Sequence, residues 1–365
     1  MCILSRLIIL KFVLFGYVVF ASLNDLLRPF EGKSSYEQFF HVVCCLLFVV
    51  CSRFNLKALL FIIFMLLWGV LNISGGAYWS SVAIQVFYLI AAFFAYLFGE
   101  QLVKHQTPNE LLYKLENTLK LCGVVFFIMF LFYLGLFLFG YINRLGHSMP
   151  IVLISSYFFS RKVSFLWLIA PILSFKRAVF FSYIAGLFLS RSNKRAFFIA
   201  PLFLIFFLSS LFIFDDVVKE FLPRWSIKNL IDSDRSFDSI NALTSGRLLQ
   251  WREAFEKDLT LFEFLFGNGL GVTYFYDVGE VKWYVHNAYL TIFNIYGIFG
   301  ILILLYFLLK IVLIERKASS FLKIYLIYVV ISSLFSAKLI VDPIFWIFMG
   351  ICNENIRKQR LGFTI

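Results

Sequence analysis

Residues 284–314 read YVHNAYLTIFNIYGIFGILILLYFLLKIVLI, and Lys310 is the one side chain in them that is charged at neutral pH. A helix needs about 20 predominantly apolar residues, at ~1.5 Å each, to cross ~30 Å of hydrocarbon. This run is long enough and reads as a membrane span. Runs of the same kind lie upstream near 3–22, 38–52, 57–74, 81–98 and 120–141. Shorter ones follow at 149–160, 163–175, 177–190 and 197–214, and two more close the chain at 321–340 and 342–353. The expectation is an all-α polytopic membrane protein of about twelve spans (eleven to thirteen). Pro171, Lys176 and Arg177 break the 149–190 region, which reads as two or three interrupted helices.

Composition agrees. Of 365 residues, 61% are apolar, 15% are charged and 49 are Phe, whereas a soluble domain is about half apolar and a quarter charged. A soluble enzyme, a disordered chain and a collagen-like fibre are excluded. The net charge of +12 does not mark nucleic acid as a partner here, because the bases sit in short loops between apolar runs. That is the positive-inside pattern, suited to anionic headgroups. Of the six cysteines, Cys44 and Cys45 lie in an apolar run and read as lipid- or helix-facing rather than as a disulfide. The first run carries Lys11 and has no small-residue cleavage site, so it reads as a retained helix.

Charge sets the expected topology. With Arg6 and Lys11 inside, the inner loops carry Arg53 and Lys57, Arg161 and Lys162, Arg191 to Arg195, Arg316 and Lys317, and Arg357 to Arg360. Both termini are then cytoplasmic. The 99–119 loop is neutral by count and does not orient the chain. Lys176 and Arg177 fall outside, against the bias, and a cation on that side suggests an anion to meet. The stretch 215–284 holds twelve acids and eight bases, so it carries −4 where the rest of the chain carries +16. The chain therefore divides into spans one to nine (1–214), a large outer loop (215–284) before the third-last span, and spans ten to twelve with a cytoplasmic tail (285–365).

Within that loop, Thr244-Ser245-Gly246 can cap a helix. Leu248, Leu249, Trp251, Phe255, Leu259, Phe262, Leu265 and Phe266 follow at a helical period. An amphipathic helix on the membrane surface or over a cavity is expected, ending at the turn Gly267-Asn268-Gly269-Leu270-Gly271. A phosphate loop is disfavoured there, because no Lys-Ser/Thr follows.

His286-Asn287 precedes the long run that opened this reading. His286 is either an interfacial anchor or a group that meets an anion at the helix start, where unsatisfied N–H groups point outward. Gly297 lies eleven residues on, about three turns and ~16 Å along one helix face. There it would let a neighbouring helix or a lipid chain approach, and Gly300 extends the thin region. Arg247 and Arg252 are solvated loop residues or diphosphate ligands, since guanidinium binds such oxygens bidentately and keeps its charge. No HExxH, GxSxG or DxD pattern occurs, and no metal or cofactor is expected; the pair Asp215-Asp216 reads as a helix end. No polar residues recur along several spans to line an ion path.

With these residues on the page, the chain resembles the O-antigen polymerase and O-antigen ligase superfamily of bacterial envelope proteins. The resemblance rests on Ser174-Phe175-Lys176-Arg177-Ala178, on Ser245-Gly246-Arg247 with Trp251 and Phe266 to Gly271, and on His286-Asn287-Ala288-Tyr289-Leu290 with Gly297. The large loop before that helix is also similar. One departure is that the nearest glycine after Arg177 is Gly186. The resemblance implies a GT-C-like, metal-independent, inverting glycosyltransferase of lipopolysaccharide or capsule biosynthesis in the bacterial inner membrane. Donor and acceptor would be oligosaccharides on undecaprenyl diphosphate, polymerised at the periplasmic face, with a chain-length regulator as a further partner. In this reading Arg177 and Arg247 steady the diphosphate and His286 is either general base or diphosphate ligand. Lys176, Arg252, Trp251, Asn287 and Tyr289 bind substrate beside a lipid groove. The alternatives are a ligase that transfers glycan to lipid A core and, in a different class, a flippase or transporter.

Overall fold

The computed structural model describes residues 3–31, 36–52, 56–71, 73, 79–141, 149–161, 167–168, 170–171, 176–190, 251–252, 259–271, 274–275, 281–282, 286–314, 320–336 and 338–360, with single positions at 205, 209, 213 and 247. The architecture is helical. The described helices are α1 (Ile3–Glu31), α2 (Tyr36–Cys51), α3 (Leu56–Leu71), α4 (Trp79–Leu102), α5 (Pro108–Leu138), α6 (Met149–Arg161), α7 (Arg177–Leu189) and α8 (Leu261–Phe266). They continue with α9 (Ala288–Ile314), α10 (Ser320–Ser332), α11 (Lys338–Val341) and α12 (Pro343–Arg360). A short antiparallel ribbon pairs Tyr274 with Lys282 and Phe275 with Val281. Four helices hold stretches long and apolar enough to cross a bilayer: Ser5–Leu23, Trp79–Leu102, Pro108–Leu136 and Ala288–Leu309. Shorter apolar helices include Phe39–Cys51, Leu59–Leu71, Arg177–Leu189 and Ser320–Ser332. Most of the expected span at 197–214 and most of the large loop, including Asp215-Asp216, lie outside the described residues.

One boundary differs clearly from the sequence expectation. The 99–119 stretch is mostly helix, because Thr107 and Glu110 close a capping box: Glu110 N–H donates to Thr107 Oγ1 at 3.2 Å and Thr107 N–H to Glu110 Oε2 at 3.4 Å. Pro108 takes the first helical position, where its missing N–H costs nothing. Apolar periodicity marks only the part of a helix that meets lipid, so it missed these polar first turns.

Glycine contacts bind the bundle. Where α4 and α12 cross, a Cβ on Gly99 would strike the Ile347 carbonyl, and one on Gly350 would strike the Tyr96 carbonyl. Lipid gives no hydrophobic drive between helices, so such close backbone approach is what van der Waals attraction needs. Gly186 does the same for α7 on α10, where a Cβ would lie 2.9 Å from the Ile324 carbonyl oxygen. Cys44, Cys45, Cys51, Cys122 and Cys352 are free and buried, so the first two face helices.

Polar contacts tie helix ends together. Arg161 reaches Glu116 at 3.6 Å, joining the end of α6 to the first turns of α5. The Lys358 ammonium donates to the Val103 carbonyl, and to that of Gln106 at 3.4 Å, joining the end of α12 to the α4–α5 connection. Arg161, residues 103–116 and Lys358 therefore share one end of the bundle, as the charge pattern requires of a common side. Replacement of Gly99 or Gly350 by Leu is expected to lower the melting temperature in detergent and broaden the size-exclusion peak. Overpacking of this kind typically costs about 1–3 kcal/mol. Gly135→Leu is the control, because nothing lies within 4 Å of a Cβ there.

Candidate functional site

The site is built where α9 breaks. Gly297 has φ 65° and ψ −165° inside the helix, a conformation L side chains avoid. The break opens the ladder of α9 ahead of it. The chain fills it from the loop: Asn268 N–H donates to the Asn294 carbonyl at 2.7 Å, and Gly269 N–H to the Ile295 carbonyl at 3.1 Å. Leu270 N–H then donates to the Gly69 carbonyl of α3 at 2.8 Å, and Gly271 N–H to Gln85 Oε1 of α4 at 2.7 Å. Trp68 Nε1 donates to the Phe266 carbonyl at 2.9 Å.

Gly267 to Gly271 are all buried. This segment is thus no surface turn; it is pressed between α3, α4 and α9. Asn294 and Ile295 lie six and seven residues into α9, about 10 Å below its start. Non-helical backbone at that depth needs protein partners for its polar groups, and these bonds supply them. The approach is close on both sides. A Cβ on Gly267 would strike the Ile295 carbonyl, and one on Gly297 would strike the Leu265 carbonyl. Gly297 therefore admits a neighbouring helix, the last turn of α8, and it interrupts the continuous face shared with His286. A Cβ on Gly300 would meet Tyr296 of its own helix.

The loop helix also differs from expectation. Positions 247 and 251–252 are helical, but Leu259 and Thr260 are not, and α8 starts afresh. Thr260 Oγ1 accepts from Glu263 N–H at 3.2 Å while Glu263 Oε2 accepts from Thr260 N–H at 2.9 Å. This capping box outweighs the helical period that runs through it. Phe264 packs edge-on against Phe293 at 5.7 Å, and Phe266 lies against Phe299 at 5.4 Å, so α8 rides on α9 beside the break.

The start of α9 forms a second corner. Asn287 Oδ1 accepts from Tyr289 N–H at 3.0 Å and from Leu290 N–H at 3.1 Å, an N-cap. Tyr289 donates its hydroxyl to the Val330 carbonyl at 2.8 Å. Ala288 N–H donates to the Ser333 and Ser336 carbonyls at 2.9 and 3.0 Å. Both expected substrate ligands thus hold the helix start in place. Trp251 joins this corner, its ring 6.0 Å from that of Phe335. Its indole N–H is buried and has no hydrogen-bond partner among the described residues. His286, half-buried, stands just before the cap. Arg247 is half-buried, and Arg252, one residue past Trp251, is exposed. Lys176, exposed, precedes α7, and half-buried Arg177 opens it.

Beneath the corner runs a cavity of about 430 Å³ between α3, α4, α9, α11 and α12. One stripe of α4, from Gln85 through Tyr88, Ala92 and Tyr96 to Glu100, lines its whole length. Fifteen residues of helix make that about 22 Å. Thr291, one turn below Asn287, and Leu270 line its outer end, and apolar side chains make nearly all of its wall. Gln85, Asn268, Thr291 and Asn294, buried to 5% exposure or less, gather at that end. Reading each span separately missed this group, because its members come one or two at a time. A lone Gln or Asn in a lipid-depth run was the available signal.

Trp68→Phe keeps the ring contacts with Phe266 and Tyr296 and strands the Phe266 carbonyl. A loss of about 1–3 kcal/mol is expected, read as a lower melting temperature. Asn287→Ala is expected to cost about 1 kcal/mol by removal of the cap, and Asn287→Asp, which retains a capping oxygen, to restore it. Comparison with protein-family models, characterised proteins and solved structures gives no match for this chain.

Proposed function

We propose that the protein polymerises oligosaccharide repeat units carried on undecaprenyl diphosphate, by metal-independent inverting glycosyl transfer at the outer face of the bacterial inner membrane. The observation that carries this reading is the 430 Å³ apolar channel, which ends one helical turn beneath the capped start of α9 and His286. A polyprenyl chain suits such a channel, because its lining offers hydrocarbon over about 22 Å. The diphosphate then lies at the channel mouth, where the helix start and cationic side chains favour negative charge.

The named residues take distinct tasks in this reading. Arg247 and Arg177 grip the diphosphate and stabilise the charge that grows on it as the glycosidic bond breaks. His286 takes the proton of the acceptor hydroxyl or holds the diphosphate. The indole N–H of Trp251, buried and without an acceptor among the described residues, is suited to a sugar or phosphate oxygen. Asn287 and Tyr289 act through the helix start they hold.

Arg247→Ala and His286→Ala are expected to abolish long-chain glycan in a strain lacking the chromosomal copy, while protein levels in the membrane stay normal. Gel ladders of surface glycan read the outcome; unchanged ladders in both variants sink the assignment. Ala92→Trp, which narrows the channel far from His286, is expected to shorten or erase the ladder as well.

A further inference from the structure

The channel carries a polarity that glycosyl transfer does not use. Among its lining residues, Glu100 at the inner end is the only one with a formal charge. Its carboxylate accepts from Asn353 Nδ2 at 2.9 Å and from the Tyr96 hydroxyl. Both donors are neutral. The cations of that corner serve other acceptors. Arg357 is bound by Glu354, its Nε and Nη2 each at 2.8 Å from a carboxylate oxygen, and Lys358 binds the Val103 and Gln106 carbonyls. Among the described residues no cation pairs with Glu100. The Glu100 side chain therefore stands as the single carboxyl in the lining of an apolar channel.

The walls nearest this carboxylate are aromatic. Phe93, Tyr96 and Phe307 line the inner part of the channel, with Tyr96 and Phe307 edge-on at 6.3 Å. Ring faces attract cations most where water is excluded. The channel is long, running about 22 Å along α4, a length that takes an extended hydrocarbon chain. We propose that the channel binds a single-chain amphiphilic cation, a long-chain amine or quaternary ammonium. Its headgroup pairs with Glu100 among these rings, and its chain runs along α4 toward Leu270. An anionic headgroup gains no ion pair at this inner end of the channel, and a neutral one gains only the chain contacts. This assignment rests on the channel and not on the proposed reaction, although a bound cation would exclude a polyprenyl chain from the same space.

The test uses the full chain in phosphatidylcholine nanodiscs, with empty nanodiscs as the blank, titrated calorimetrically with dodecyltrimethylammonium, dodecanol and dodecyl sulfate. The cation is expected to bind about tenfold more tightly than dodecanol, and dodecyl sulfate more weakly than either. Glu100→Gln, which retains an acceptor for Asn353, is expected to remove the cation preference and leave dodecanol affinity unchanged. Ile303→Trp, midway along the channel, is expected to reduce binding of both the cation and dodecanol. Equal affinity for cation and alcohol in the unaltered protein overturns the proposal, as does an undiminished preference in a folded Glu100→Gln. If that variant does not fold, competition decides: dodecyl sulfate displacing dodecanol as well as the cation does also overturns it. The glycan ladder plays no part in these readings, so either proposal can fail alone.

Discussion

Backbone hydrogen bonding away from water is the constraint on which this structure depends. A loop that enters the bundle and a helix that breaks inside it would each leave peptide groups without partners, at a cost of several kcal/mol per group in hydrocarbon. Here each defect answers the other. The opened carbonyls of Asn294 and Ile295 receive the amides of Asn268 and Gly269. The remaining amides, of Leu270 and Gly271, find Gly69 and Gln85. The exchange demands glycine on both sides, because any Cβ at 267 or 297 would occupy the partner's backbone. Neither feature makes sense alone.

That constraint shapes the cavity. Leu270, held 1% exposed by the loop, fills the gap between α3, α4 and α9 and closes the outer end of the channel. The start of α9 stands above it on its own supports: the Asn287 cap, the Tyr289 hydroxyl and the Ser333–Ser336 turn. Ser333 also accepts from Leu339 N–H at 2.9 Å, which leads into α11. Asp342 then caps α12, accepting from Ile344 N–H at 2.9 Å and from the Tyr325 hydroxyl at 2.6 Å. His286 is thus carried on a corner fixed by α9, α10, α11 and α12.

Much of the fold was legible as a list of apolar runs, since a run of hydrocarbon-facing residues declares itself wherever it sits. The start of α5 was not, because its polar first turns lie beyond the lipid and only the Thr107–Glu110 pair announces them. The amphipathic period of the large loop pointed to helix, and α8 exists, yet Thr260 and Glu263 divide what periodicity joined. For the site, the His286-Asn287 pair and Gly297 were visible as local exceptions in an apolar run. Their physical tasks were not. Asn287 caps its own helix, and Gly297 is a breach defined by Leu265 of another element.

The sequence by itself determined that this chain is a helical membrane protein, that its charged residues gather at helix ends, and that glycines and a histidine mark one helix start. Those properties follow from local composition, which lipid reads one segment at a time. Tertiary structure alone decided that Gly267 meets Gly297, that Gln85 and Glu100 stand at opposite ends of one channel, and that Trp251 lies against Phe335. Such pairings join segments as distant as Glu100 and Asn353, 253 residues apart, and what selects them is mutual satisfaction of polar groups and close packing, neither of which exists until the helices assemble.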